Sequence, residues 1–402
     1  MITLQTIEKA KERIQDSVFE SPCVYSYSLS QALNATVFLK LDNMQKTGSF
    51  KERGALNRLL LLSEEEKKKG VVSASAGNHA QAVAYHASRL GIGSMIFMPQ
   101  QTPLIKVSKT ENFGAKVHLE GDNYDECHAL ALRFAQESGG FYLHAYDDDQ
   151  VIAGQGTLGL EIAKQVPNLS TVIVPVGGGG LIAGIAVALK DVAPQVELVG
   201  VESSLMPSMI KALEAGKPIT LEPAQTLADG IRVRRAGDRT YEICRLFVKK
   251  WETLSDDEIA KGILHLLEKE KVVAEGAGAI GVALLLNRDA SFWKGKTICV
   301  VVGGGNIDVN WLGRIIERGM VDSKRLVRLQ VTILDRPGEL GKFLDQLAIT
   351  RANVVEIHHE RAFAHVLWND VKVDVVLETR GKNHMDEIVS LIRSKGYAVS
   401  LN

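Results

Sequence analysis

The stretch KTGSFKERGA sets a lysine, Lys51, directly behind Gly48, Ser49 and Phe50, with Glu52, Arg53 and Gly54 following. Lysine ordinarily lays its stem along apolar neighbours on a solvated surface. Taken singly, Lys51 would be a solvated helix lysine, but its place on a tight Gly-Ser turn beside an aromatic ring raises a chemical role. Desolvation lowers a lysine pKa, and the neutral amine can attack an aldehyde and later act as a base.

Three glycine-bearing stretches accompany it. GGGGL at 177–181 separates the strand-like TVIVPV from the helix-like LIAGIAVAL. Glycine lets backbone approach a ligand closely, and the helix start behind it offers free N–H groups and a positive dipole end, which suits a phosphate monoester. No Gly-Lys-Ser/Thr follows, which argues against a Walker loop. SAGNHAQ at 75–81 brings Asn78 and His79 to another helix start, where an amide and free N–H groups can meet a carboxylate or a phenolate. Taken singly, Asn78 would be a helix cap and His79 a core or surface histidine. GGGN at 303–306 ends the apolar run TICVVV. In open α/β sheets ligands bind beyond the carboxyl ends of strands, so the three stretches can converge on one crevice. A phosphate cradle, an amide and a turn-held lysine together suit pyridoxal phosphate bound as a Schiff base.

The elements that must position these residues follow from periodicity. Short apolar strands (GVVSAS, SMIFMP, AKVHLEG, FYLHAY, TVIVPV, VELVGVE, TICVVV) alternate with helices, including residues 256–270 and 279–287. That alternation predicts α/β architecture, with parallel sheets covered by helices on both faces. After about Val321 the order becomes RLVRLQVTILD, a helix, NVVEIHHER, VKVDVVLETR, a second helix and YAVSL, a βαββαβ ferredoxin-like unit. VDSKR reads as the linker. The domains expected are residues 1–320, with a smaller lobe at roughly 50–150, and residues 326–402.

Composition narrows the class. The 402 residues are 46% hydrophobic and 24% charged with formal net charge -1, which offers nothing to nucleic acid or an anionic membrane. Cys23, Cys127, Cys244 and Cys299 form no CxxC pair and fit reduced thiols of a cytoplasmic protein. The charged first helix has no apolar core of a signal peptide. The uncharged window 166–189 has Pro175 and four consecutive glycines in its middle, which argue against a membrane span.

In motif order GSFKERGA, SAGNHAQ, GGGGL, EGAGA and GGGNID, most of residues 1–320 resembles the fold type II pyridoxal-phosphate enzymes, and in particular the threonine dehydratases. The resemblance implies that Lys51 carries the cofactor beside Phe50 and that Asn78 bonds its 3-hydroxyl. It implies that Gly177, Gly178, Gly179, Gly180 and Leu181 hold the phosphate, and that Ser75, Ala76, Gly77, Asn78 and His79 take the substrate carboxylate. Gly303 stands where the family usually has a serine at the pyridine nitrogen. Ala76 replaces a serine common in racemising relatives, which favours elimination. The activity implied is conversion of L-threonine to 2-oxobutanoate and ammonia, with L-serine to pyruvate secondary, as a first step of isoleucine biosynthesis. A racemase-like or β-replacing enzyme and a catalytically silent sensor are the alternatives.

Residues 326–402 resemble the amino-acid-sensing ACT module through DRPGEL and RANVVEI. That implies an amino-acid effector near Pro337, Gly338 and Asn353, and a homo-oligomer, dimer or tetramer. Glu202 in GVESS resembles a cation-binding position of relatives but reads equally as a strand-end glutamate. Arg232, Arg234 and Arg235 read as a solvated charge run. His358, His359 and Glu360 point to opposite faces of one strand, so no metal site is expected.

Overall fold

Ten short strands precede residue 303 in the computed structural model, which describes residues 2–360 and 368–401. In chain order they are β1 (Cys23–Tyr25), β2 (Thr36–Leu41), β3 (Val71–Ala74), β4 (Ser94–Met98) and β5 (Lys116–Leu119). There follow β6 (Phe141–Tyr142), β7 (Thr171–Pro175), β8 (Glu197–Ser203), β9 (Lys250–Leu254) and β10 (Thr297–Val302). They make two sheets. The smaller, β5-β4-β3-β6, is parallel throughout. The larger, β1-β2-β10-β7-β8-β9, is parallel except for β1, which runs antiparallel to β2. The α/β expectation holds.

The chain leaves the large sheet after β2, builds the small one, and returns at β7. Strand β10 then fills the place between β2 and β7. A crevice at such a reversal of strand order is where open α/β sheets bind ligands.

The uncharged window resolves as anticipated: β7, a glycine loop, then helix Gly180–Val192, whose first ten residues are all buried. That helix crosses Asp149–Gln165 at glycines: a Cβ on Gly184 would lie 2.4 Å from the carbonyl oxygen of Ile152. Helix Lys51–Leu60 is anchored by a buried ion cluster. The Arg53 guanidinium donates to both Asp42 oxygens at 2.8 Å and to Glu161, which also accepts from Lys40. A charge this buried persists only because every partner is present.

The second unit contains β11 (Leu326–Leu334), β12 (Asn353–Glu360), β13 (Asp370–Glu378) and β14 (Ala398–Leu401) in the antiparallel order β12-β13-β11-β14. Helices Glu339–Thr350 and Lys382–Ser394 supply Phe343, Leu347, Ile388 and Ile392 to a core shared with Leu329, Val331, Val373 and Val375. This is the expected βαββαβ order. Arg361, read as the end of its second strand, lies outside the described residues.

The compact units are Met1–Ile307 and Asp308–Asn402. Helix Val309–Asp322 falls in the second and packs on β11, and it absorbs the first two residues of the stretch read as a linker. FYLHAY is strand only at Phe141–Tyr142, and helix 256–270 ends in a π-type turn at Leu266–Glu270. No helix among the described residues is long and apolar enough to cross a membrane.

Candidate active site

The turn before Lys51 is stitched to the end of β10. Phe50 N donates to Gly303 O at 3.0 Å, Gly305 N donates to Gly48 O at 2.9 Å, and Ser49 bridges Gly304. Gly48 has φ +78°, and a Cβ there would sit 2.7 Å from Asn306 Oδ1, so position 48 excludes a side chain twice over. Lys51 opens helix Lys51–Leu60, and its Nζ donates to Ala145 O at 3.0 Å. Burial brings the amine down to about 8 against the pull of the Glu275 charge. The turn thus sets a partly neutral amine in the wall of a cavity, which the expected chemistry requires.

The cavity is also lined by Phe50, Asn78, Tyr146, the loop at 177–181, Glu275 and Gly303. The glycine loop is packed from behind. A Cβ on Gly178 would fall 2.4 Å from the Tyr146 ring, and one on Gly179, with φ +92°, would fall 2.5 Å from Met209 Cε. Thr240 Oγ1 donates to Gly178 O at 2.6 Å and Ser208 Oγ donates to Gly177 O at 3.4 Å. Both carbonyls are therefore engaged by neighbours, and helix Gly180–Val192 has no side-chain cap. What remains for a ligand is N–H groups and the positive end of a helix, a cradle for a phosphate.

Asn78 opens helix Asn78–Arg89 and lies between two partners. Its Nδ2 donates to Glu275 Oε1 at 2.7 Å, and its Oδ1 accepts from Asn306 Nδ2 at 2.8 Å. Asn306 Nδ2 also donates to Thr47 O at 2.7 Å, and Lys109 Nζ donates to Asn306 Oδ1. Burial pushes the Glu275 carboxyl up to about 7, helped by the Asp229 charge and opposed by the Asn78 bond.

Glu275, Tyr146 and Asn306 were not among the sequence candidates. Glu275 and Asn306 had a signal, since they stand inside the EGAGA and GGGNID stretches, where neither was given a role. In the structure Glu275 is at the N-cap of Gly276–Asn287 with no capping bond, its carboxylate turned to Asn78. Tyr146 had none.

The other predicted positions are placed as follows. Lys51, Phe50, Asn78, Gly177, Gly178, Gly179, Gly180, Leu181 and Gly303 share one cavity wall. Ser75, Ala76 and Gly77 are half-buried just before Asn78, and a Cβ on Gly77 would meet nothing within 4 Å. His79 turns away into the small-sheet core, its Nε2 3.3 Å from Leu143 O, and burial first, then the Lys51 charge, lowers it to about 3. Helical rotation by one residue sends Asn78 to the cavity and His79 to the interior. A Cβ on Gly303 would lie 3.1 Å from Phe50 Cδ1, a tight contact that a side chain there could meet only if the ring gave way by a few tenths of an ångström.

Glu202 has its carboxylate occupied by the Met209 and Ile210 N–H groups at 2.9 and 2.8 Å, as the acceptor at a helix start; burial raises it to about 8. Arg232, Arg234 and Arg235 are engaged by Gln225, Asp125 and Asp238. His358 pairs with Glu356 at 3.4 Å, and no three metal-ligating side chains cluster among the described residues.

The site fits pyridoxal phosphate: a side-chain-free cradle for the phosphate, an amine for the aldehyde, an amide for the ring oxygen. The comparisons agree. The family model described as "Pyridoxal-phosphate dependent enzyme" matches residues 14–304. The L-threonine ammonia-lyase of Thermotoga maritima is 46% identical over 402 residues, covering 100% of both chains. The processed threonine deaminase isoform 2 of Solanum lycopersicum superposes with TM-score 0.74 at 35% identity, over 78% of this chain and 92% of that one. A maize serine racemase gives TM-score 0.74 at 33% identity, over 80% of this chain and 98% of the other, so the fold alone does not separate elimination from racemisation. With its lysine turn, glycine cradle and matched family model in register, the chain belongs to the pyridoxal-phosphate dependent enzymes.

Proposed function

We propose that this chain eliminates the β-hydroxyl of L-threonine as water to give an enamine, which takes water back and releases ammonia to give 2-oxobutanoate, with L-serine as a secondary substrate giving pyruvate in the same way. The observation that carries the reading is Lys51 Nζ in the same wall as the glycine cradle, in a chain similar over its whole length to an L-threonine ammonia-lyase. Pyridoxal phosphate, when bound, supplies an aldehyde and an electron sink. Backbone N–H groups at 177–181 would hold its phosphate, and Asn78 would bond its 3-oxygen. The Lys51 amine, once displaced by substrate, takes the α-proton, for which its lowered pKa suits it. The helix start around residues 75–79 receives the substrate carboxylate. Ala76 offers no proton to the opposite face, which favours elimination over racemisation.

The test is a panel of amino acids scored for 2-oxo acid release and for D-serine. The parent should release 2-oxobutanoate from threonine. Lys51→Ala should keep the cofactor phosphate but lose turnover by about three orders of magnitude or more. Absence of oxo acid from both threonine and serine sinks the reading.

Residues 1–320 form the catalytic part in this reading and residues 326–402 an ACT-type regulatory domain. An effector carboxylate would meet the N–H groups opening helix Glu339–Thr350, where Pro337 and Gly338 are exposed and a Cβ on Gly338 meets nothing within 4 Å. Asn353 Nδ2 is held by Glu378 at 2.9 Å, which leaves its oxygen for the ligand's polar end. We assign isoleucine as the first effector to try, in a cytoplasmic homo-oligomer, dimer or tetramer, at the entry to isoleucine biosynthesis.

A further inference from the structure

An asparagine amide can present either N–H or C=O to a ligand, and only its neighbours decide which. At Asn78 the decision is not made locally. Its Nδ2 partner is Glu275, whose carboxyl accepts from it but, pushed up to about 7 by burial, is purely an acceptor only where it is ionised. The Oδ1 partner is Asn306, itself an amide and equally ambiguous alone.

Asn306, however, sits between two groups that cannot exchange roles. Lys109 Nζ is a donor only and lies on Asn306 Oδ1. The Thr47 carbonyl is an acceptor only and lies 2.7 Å from Asn306 Nδ2. Rotating the Asn306 amide would face its N–H₂ with an ammonium and its oxygen with a carbonyl. In its observed orientation Asn306 must donate to Asn78 Oδ1, and Asn78 must then turn its Nδ2 toward Glu275 and the cavity it lines.

We propose that Asn306, polarised by Lys109 and Thr47, is the positioning residue that commits Asn78 to being a hydrogen-bond donor toward the 3-oxygen of the cofactor. This rests on the reading that Asn78 faces that oxygen. The amide's second hydrogen is the donor a ring oxide calls for, and a flipped Asn78 would oppose that oxide with its own carbonyl. Asn306 reaches the Lys51 turn as well, since a Cβ on Gly48 would collide with its Oδ1. Amine and amide are thus referenced to one side chain.

The test uses the full-length chain reconstituted with pyridoxal 5′-phosphate or with 3-deoxypyridoxal 5′-phosphate, each dissociation constant read by absorbance titration. Asn306→Ala should weaken the natural cofactor about tenfold and the deoxy analogue less than about twofold, because only the former meets the donor. Lys109→Met should show the same selectivity at about threefold, since Thr47 still orients Asn306, and Lys109→Arg should restore the parent value. Asn78→Ala is the reference. If Asn78→Ala discriminates between the two ligands but Asn306→Ala weakens both equally or neither, the positioning role is overturned while the cofactor reading stands. If Asn78→Ala itself fails to discriminate, the placement of the 3-oxygen falls and this inference with it.

Discussion

If burial holds the Lys51 amine at about 8, its reactivity should show a specific pH dependence. With an ordinary lysine value of 10.5, about one amine in a thousand is neutral at about pH 7.5; with 8, about a quarter is. The gain in nucleophile is therefore roughly two hundredfold. Capture can be measured on the full chain freed of cofactor by a short pulse of pyridoxal phosphate, borohydride quenching and quantification of the Lys51 adduct by mass spectrometry. Between about pH 6 and pH 10 the yield should rise with its midpoint near 8. The Glu275 charge opposes the downward shift, so Glu275→Gln should move the midpoint lower still. A midpoint near that of an ordinary lysine would refute burial as the cause, and an upward move in Glu275→Gln would refute the opposing role of the Glu275 charge.

Gly178→Ala would drive a methyl 2.4 Å from the Tyr146 ring and should weaken cofactor retention about tenfold or more, read by loss of its visible absorbance on dialysis. Arg53→Met leaves the Asp42 and Glu161 carboxylates buried without their guanidinium and should cost about 3–5 kcal/mol in urea unfolding; a loss under about 1 kcal/mol would mean the cluster is solvated. Removing residues 326–402 should leave a folded enzyme with threonine turnover but no response to isoleucine. Identical saturation curves for the whole chain with and without isoleucine and valine would instead make the second unit an assembly domain.

Where a position demands the absence of a side chain, its chemistry was readable. The run at 177–180 is glycine because Tyr146, Met209, Thr240 and Ile231 occupy the space a Cβ would need, and four consecutive glycines can hardly arise otherwise. The periodic elements were equally open, since β7 and β10 are apolar after their opening threonine, β8 is apolar from Leu198 to Val201, and β11 alternates along its length. Strand order was not. That β10 lies between β2 and β7 depends on contacts distant in sequence, and the edge strands β1 and β9 are too short or too mixed to stand out. For the same reason Tyr146, Glu275 and Asn306 stayed hidden. Tyr146 is ordinary among its chain neighbours, Glu275 and Asn306 stand in the EGAGA and GGGNID stretches with nothing to mark their partners, and each gains its role from a residue brought against it by the fold.

The late position of β10 has a consequence for biosynthesis. Phe50 and Gly48 emerge early, yet the backbone partners that shape their turn, Gly303 and Gly305, are among the last residues of the first unit to leave the ribosome. Until β10 docks, the large sheet has a gap at its centre and the lysine loop lacks its hydrogen bonds. Pairings of such long range are slow to form, because loop closure must precede the contacts that reward it. A nascent or prematurely terminated chain can therefore carry Lys51 and the whole glycine cradle and still react with free aldehyde no faster than an ordinary lysine does. Competence arrives in one step, with the insertion of a single strand.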